Sequence, residues 1–146
     1  MLKRLITILF FLLILLACSE NEKVVLEFRI AEDEPAADLT EIAFEPTGEI
    51  FYLHNEVLIN QNDVASSTVV EQQGRPAVEL ILTSEGTKKF RELTAQNVGK
   101  RCGMVLNGNL LSAPIIRDTI SVGRAIITGI FTRTEAEAIA NGLMQN

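Results

Sequence analysis

The sequence predicts an α+β fold in which an antiparallel or mixed sheet of about six or seven strands is covered by two helices. Three observations predict it: short alternating apolar runs rich in β-forming residues, an Asn-Gly turn signal at residues 107 and 108, and two amphipathic segments that begin with capping residues. Because the helices interrupt the series of strands, we expect one sheet with both helices packed on it.

Residues 1–17 are predicted to be the signal peptide of a bacterial lipoprotein. Two basic residues precede an apolar run over residues 5–16, and a small residue, Ala17, precedes Cys18. The run is too short to span a hydrocarbon core of about 30 Å comfortably as a helix. The ending Leu-Leu-Ala-Cys resembles the lipobox, whose cysteine is acylated and becomes the new N-terminus. An ordinary secretory signal and an uncleaved anchor are the alternatives.

Lipidation of Cys18 would attach the chain to a lipid bilayer at the periplasmic face of the cell envelope. Several acyl chains on one residue give durable attachment. Ser19 follows the cysteine, which by resemblance to enterobacterial lipoproteins favours the outer membrane if the source has two membranes. Residues 18–23 are the predicted tether. Its five residues after the cysteine reach less than about 20 Å, so we expect the domain to lie close to its membrane.

The composition argues against a nucleic-acid partner. Without the signal peptide, the chain has 129 residues with 11 basic and 19 acidic side chains, a net charge of −8. Phosphate backbones are bound by basic surfaces, which this balance does not favour. Once Cys18 is lipidated, Cys102 has no partner within the chain. We therefore predict a buried, unpaired thiol, with an intermolecular disulfide as the alternative.

Residues 24–46 are predicted to form a strand followed by an acidic linker. Residues 24–30 alternate in polarity and are rich in β-formers. Residues 31–46 contain six acidic residues and two prolines. A solvated linker is the preferred interpretation over a cation site, because the acidic residues lack the spacing of a calcium loop.

Residues 47–146 are predicted to contain the remaining strands and both helices. Strands are expected at 50–54, 56–59, 67–72, 77–83, 102–106, 110–116 and 124–128, with a turn or single helical turn at 60–63. Ser84 is the predicted N-cap of the first helix, which places Phe90, Leu93 and Val98 towards the core and stops at Gly99.

The second helix is predicted from its capping residues. Thr132 and Glu135 have the spacing of a capping box. An apolar stripe follows, made of Ala136, Ile139, Ala140 and Leu143. This helix is therefore expected to cover the sheet.

A series of short segments in these 100 residues carries a family resemblance. The segments are YL at 52–53, LIN at 58–60, PAV at 76–78, LTSEG at 82–86, KF at 89–90, LT at 93–94, NVGK at 97–100, MVLNG at 104–108, SAP at 112–114, GRA at 123–125, ITG at 127–129 and EA at 135–136. In this order and spacing they resemble the head subdomain of the first periplasmic domain of SecD, an accessory subunit of the Sec protein-export machinery. The resemblance implies a SecD-head-like domain over 47–146.

The resemblance implies a non-catalytic protein that binds unfolded or extended polypeptide in an accessory role near protein export or assembly. The resemblance also implies a Sec-related envelope protein as a partner. His54 is the single histidine, so a zinc-binding histidine cluster and a histidine dyad are excluded, and no cofactor or metal is expected. The alternative is a structural or regulatory lipoprotein that reuses the head fold to bind another envelope component or a small ligand.

The predicted contact surface is the hairpin at Asn107 and Gly108 together with the sheet edge near Pro114. Backbone groups at an edge are expected to be unpaired and can accept an added strand. Four arginines, at positions 75, 101, 117 and 124, are an alternative patch for an acidic partner. Solvated surface charge is the preferred interpretation of these arginines.

Overall fold

The computed structural model describes residues 23–145, which fold into two antiparallel sheets and two helices. The strands are β1 Leu26–Glu32, β2 Thr40–Phe44, β3 Glu49–Leu53, β4 Ile59–Asn60, β5 Val64–Gln72, β6 Arg75–Leu82, β7 Arg101–Leu106, β8 Asn109–Ser112 and β9 Arg124–Ile127. The helices are α1 Ser84–Gln96 and α2 Arg133–Leu143, and a 3₁₀ turn spans Gln61–Asp63. The predicted signal peptide, Cys18 and the tether up to residue 22 lie outside the described residues.

The larger sheet is built around β1 and has the order β2-β3-β1-β7-β8, with β4 also paired to β1. It curls so strongly that Cα atoms of its terminal strands, β2 and β8, approach within 8 Å. The curl encloses a small apolar cluster: Ala31, Phe51, Leu53, Val105 and Leu110, with Ile42, Phe44 and Ala113 packed against it. Curling therefore buries the face of the sheet that no helix covers.

The smaller sheet has the order β5-β6-β9 and shares the main core with the larger one. Alternate residues of β6, namely Val78, Leu80 and Leu82, are buried in this core. Helix α2 packs on β5 and β6, while α1 packs on β4, β6 and the 3₁₀ turn. The Phe28 and Phe90 rings meet edge to face at 6.1 Å, which joins α1 to the larger sheet. Neither helix in residues 23–145 is long and apolar enough to cross a bilayer.

The predicted α+β class is confirmed, with two helices and antiparallel strands, but the strands are divided differently. Nine strands lie in residues 23–145, and they form two sheets and not one. The segment predicted to be an acidic linker contains β2, which pairs with β3. Ile42 and Phe44 of β2 are half-buried while its other residues are exposed, so the acidic composition concealed an edge strand.

The ends of α1 also differ from the prediction. Thr83, and not Ser84, is the N-cap, since its side chain accepts a hydrogen bond from the Gly86 amide at 2.9 Å. At the other end α1 stops at Gln96, and Val98 is 54% exposed and lies outside the core. By contrast, the predicted capping box of α2 at Thr132 and Glu135 is confirmed.

Candidate functional site

The predicted hairpin is present, and its tip is hydrogen-bonded to the residue that precedes β1. Asn107 and Gly108 have φ of 50° and 81° and connect β7 to β8, as an Asn-Gly turn requires. The Asn107 amide donates to the Val25 carbonyl at 2.8 Å, and the Val25 amide donates to Asn107 Oδ1 at 2.8 Å. The Asn107 side chain therefore holds the start of β1, while Gly108 is exposed at the tip.

The sheet edge near Pro114 is less open than the sequence suggests. The Pro114 carbonyl accepts a hydrogen bond from the Cys102 amide at 2.9 Å, and the Ile116 amide donates to the Lys100 carbonyl at 2.8 Å. The expectation of unpaired backbone is wrong for these groups, because the chain continues to pair beside β7 after β8 ends. Proline also has no N–H to offer to an added strand.

A cleft of about 670 Å³ lies between the two sheets, and β8 forms part of its wall. Four segments that are distant in the sequence line it: the end of β2, the β5–β6 turn, β8, and the residues after β9. The residues that shape it include Phe44, Arg75, Leu111, Ser112, Thr128 and Ile130. Its walls thus combine apolar side chains with a few polar groups, as binding clefts commonly do.

Two terminal strands flank this cleft. β8 is the last strand of the larger sheet and contributes Leu111 and Ser112, while β9 is the last strand of the smaller sheet and leads into residues 128–130. A terminal strand presents backbone N–H and C=O groups that can pair with an extended chain. The arrangement therefore places the apolar side chains of the cleft beside the ends of two terminal strands.

The β5–β6 turn forms one end of the cleft. Gln73 and Gly74 have φ of 52° and 75°, and the residues on either side of them, Gln72 and Arg75, face each other across the strand pair. Arg75 and Pro76, which lie between the strands predicted at 67–72 and 77–83, are the first residues of β6. The tight turn fixes the position of Arg75 at the cleft.

The four arginines do not form the patch considered from the sequence. Arg101 donates to Asp33 at 2.7 Å, and Arg124 forms two hydrogen bonds with Glu79, at 2.7 and 2.8 Å. Arg124 faces Ile81, at the end of β6 opposite to Arg75, so about 20 Å separates these two arginines. Arg75 and Arg124 therefore lie at separate places, Arg101 and Arg124 are paired with carboxylates, and Arg75 belongs to the cleft.

Cys102 and His54, which were considered for chemistry, lie in surroundings that do not form a reactive site. Cys102 is a free cysteine and 4% exposed, and burial raises the pKa of its thiol to about 12. His54 Nε2 lies 2.9 Å from Glu32 Oε1, and Lys100 donates to the same oxygen at 3.2 Å. The hydrogen bond with His54 lowers the pKa of Glu32. Neither Cys102 nor His54 lines the cleft.

The apolar residues of the cleft were not predicted from the sequence. Phe44 lies in the segment interpreted as a linker. Leu111 lies in a predicted strand, but the sequence pattern of that strand does not indicate which segment its side chain contacts. Ile130 follows Gly129, lies outside any strand and is 74% exposed. An exposed large apolar side chain of this kind is the one local feature that indicates a contact surface. Only the fold brings these residues together.

The chain matches a known family over most of its length. The family model described as SecDF, P1 head subdomain, matches residues 37–146. The chain is 46% identical over 84 residues to the protein translocase subunit SecDF of Thermus thermophilus, covering 57% of this chain and 11% of that protein. It is 40% identical over 86 residues to SecD of Acidaminococcus fermentans, covering 59% of this chain and 21% of that protein. It thus spans a small fraction of the length of these relatives.

Solved structures show the same similarity. A structure of the membrane component SecDF, described as enhancing protein export, superposes with a TM-score of 0.68 and 32% identity, covering 84% of this chain and 63% of that one. SecDF in its super-membrane-facing form also gives a TM-score of 0.68, with 33% identity, covering 84% of this chain and 19% of that one. The fold over most of this chain is therefore found in experimentally determined proteins.

Proposed function

We propose, because this chain belongs to the family of SecDF P1 head subdomains, that it is a non-catalytic envelope protein that binds extended polypeptide in an accessory role in protein export. The observation that carries the proposal is the cleft between the two sheets, lined by β8, the β5–β6 turn, the end of β2 and the residues after β9. The relatives are subunits of a protein translocase, whose substrates are polypeptides in transit. A cleft with apolar walls suits the apolar side chains of an unfolded segment.

The expected affinity is modest. Full burial of one leucine-sized side chain contributes about 1.5–3 kcal/mol. Several such side chains must be buried for net binding, because ordering a flexible segment costs about 2–5 kcal/mol. Main-chain pairing with a strand edge is insensitive to side-chain identity. Binding in the micromolar to millimolar range with weak dependence on sequence follows from these terms.

The proposal includes a lipid anchor on Cys18. Its support is the sequence alone: a basic start, an apolar run and the ending Leu-Leu-Ala-Cys at residues 15–18. The short predicted tether would keep the cleft within about one domain width of the bilayer. A binding site at that height would meet extended polypeptides close to the membrane that holds the anchor.

The test compares one secretory polypeptide in its unfolded and folded forms. The full chain, purified in detergent, is titrated with each form, and fluorescence anisotropy reports binding. We expect binding of the unfolded form, weakened several-fold by Ile130→Ser. The matched control is Val122→Ser, because Val122 is 65% exposed but does not line the cleft.

Three outcomes would contradict the proposal. Equal binding of folded and unfolded forms would reject a preference for extended chains. Equal effects of Ile130→Ser and Val122→Ser would reject the cleft as the place of binding. Absence of binding up to millimolar concentration would favour the alternative, a structural or regulatory lipoprotein that binds another envelope component or a small ligand.

A further inference from the structure

Arg75 is the charged residue of the cleft. Among the described residues that line the cleft, it alone carries a charge, and the others are apolar or neutral polar. Its side chain is exposed, and no carboxylate within residues 23–145 forms an ion pair with it. A guanidinium without a carboxylate partner, beside apolar walls, is available to a bound molecule.

The placement of Arg75 is defined by the backbone. It is the first residue of β6, directly after the tight turn at Gln73 and Gly74, and it faces Gln72 across the hairpin. This position differs from those of Arg101 and Arg124, whose guanidinium groups are occupied by Asp33 and Glu79. A guanidinium presents N–H donors in a planar fork that matches the two oxygens of a carboxylate.

Arg75 is a positive group in a chain whose net charge is negative, so it marks where an acidic side chain would be attracted. The full sequence carries a net charge of −6, so acidic segments are repelled by the molecule as a whole. Among the residues that line the cleft, Arg75 supplies the one charged group, and none of the others is acidic. An acidic side chain in a bound segment would therefore find its favourable contact at Arg75.

We infer that Arg75 gives the cleft a preference for polypeptide segments that carry an acidic residue beside apolar ones. The apolar side chains of the segment would contact Phe44, Leu111 and Ile130, while its carboxylate pairs with the Arg75 guanidinium. This inference rests on the proposed function, and it adds a side-chain preference to a site whose main-chain contacts are unselective.

The experiment uses two fluorescent nine-residue peptides with the same alternating apolar pattern, one with aspartate and one with asparagine at the centre. Each is titrated with the full chain in detergent. The aspartate peptide should bind about two- to fivefold more tightly, the range expected of a partly exposed ion pair. This advantage should vanish near 1 M salt, where the Debye length falls to about 3 Å.

Variants separate Arg75 from general electrostatics. Arg75→Gln should equalise the two affinities, and Arg75→Glu should favour a third peptide with lysine at the centre. Arg117→Gln is the matched control, because Arg117 is exposed in a loop outside the cleft, and it should keep the aspartate preference. Circular dichroism checks that each variant is folded.

The outcomes separate the inference from the function it rests on. If both peptides bind equally to the unmodified chain, or if Arg75→Gln retains the preference, the inference is wrong while polypeptide binding stands. If no peptide binds at millimolar concentration, the proposed function itself fails and the inference fails with it.

Discussion

Lys89 of α1 donates a hydrogen bond at 2.7 Å to Asp63, a carboxylate of the 3₁₀ turn that is only 4% exposed. The second carboxylate oxygen accepts the Asn60 amide at 3.0 Å, and the Asp63 carbonyl accepts the Thr83 amide at 2.8 Å. A Cβ added at Gly86 would lie 2.5 Å from that carbonyl oxygen, so α1 touches the turn backbone. Asp63 therefore joins the connection between the sheets to the start of α1.

The first prediction is that Asp63→Ala destabilises the fold by about 1–3 kcal/mol. The substitution leaves the Asn60 amide without its side-chain acceptor and removes the ion pair with Lys89. The control is Glu85→Ala, which removes an exposed pair with Lys88 at 3.7 Å and should cost almost nothing. Urea unfolding followed by circular dichroism measures both. Equal losses in the two variants would show that Asp63 is not a structural junction.

The second prediction distinguishes the two candidate N-caps of α1. Thr83→Ala should cost about 0.5–2 kcal/mol, because the hydroxyl that accepts the Gly86 amide is lost. Ser84→Ala should change the free energy of unfolding by less than about 0.5 kcal/mol, since Ser84 is exposed and makes no cap. A larger loss from Ser84→Ala would restore the cap predicted from the sequence.

These comparisons indicate which features the sequence could predict. The turn at Asn107 and Gly108 and the cap at Thr132 depend on residues within four positions of one another, so the local pattern was sufficient. The N-cap of α1 was displaced by one residue, because Thr83 and Ser84 both carry a hydroxyl acceptor. Only the backbone geometry decides which of them accepts the Gly86 amide.

Long-range features could not be predicted in this way. The division into two sheets depends on β4 and the 3₁₀ turn, a five-residue connection from Ile59 to Asp63 that carries the chain from one sheet into the other. The cleft is lined by Phe44, Arg75, Leu111 and Ile130, which are separated by up to 86 positions. No local pattern marks residues that become neighbours only when the larger sheet curls.

The third prediction concerns the pH dependence of the α2 capping box. Hydrogen bonds from the Thr132 amide, at 2.7 Å, and hydroxyl, at 2.8 Å, lower the pKa of Glu135 below its ordinary value of 4.5. A carboxyl with a lowered pKa stabilises the fold above its ordinary pKa, and this contribution is lost as the pH falls through the lower folded value.

The measurement is the amide exchange rate of the first turn of α2 between pH 6 and pH 3, corrected for the intrinsic dependence on pH. We expect protection to fall on acidification, and Glu135→Gln to flatten this profile. Glu137→Gln, which alters an exposed pair with Arg133, is the control and should leave the profile unchanged. A profile that Glu135→Gln does not alter would contradict the assignment.

The fourth prediction is that Cys102 reacts slowly with bulky thiol reagents in the native protein. The thiolate is the reactive form, and a pKa of about 12 leaves almost none of it at neutral pH. Burial within β7 also denies access to the reagent. Labelling should become fast only in denaturant. Rapid native labelling, or a dimer that a reductant dissolves, would contradict this prediction.

The last prediction is that the thiol of Cys18 carries the lipid. Its basis is the position of Cys18 after a basic start, an apolar run and Ala17. Each buried CH₂ of an acyl chain contributes about 0.8 kcal/mol, so loss of the modified residue should release the protein from the membrane or block its processing.

The two cysteines of the chain provide the matched pair for this test, because Cys102→Ala removes a thiol without touching the signal segment. Cys18→Ser should leave the protein soluble or uncleaved, whereas Cys102→Ala should stay in the membrane fraction with an acylated N-terminal peptide detected by mass spectrometry. If Cys18→Ser remains in the membrane fraction and is cleaved at the bond before residue 18, the anchor cannot be a lipid on that thiol. The proposed location of the cleft near the bilayer would then lose its support, while binding of polypeptide at the cleft would still be decided by the titrations with unfolded chains.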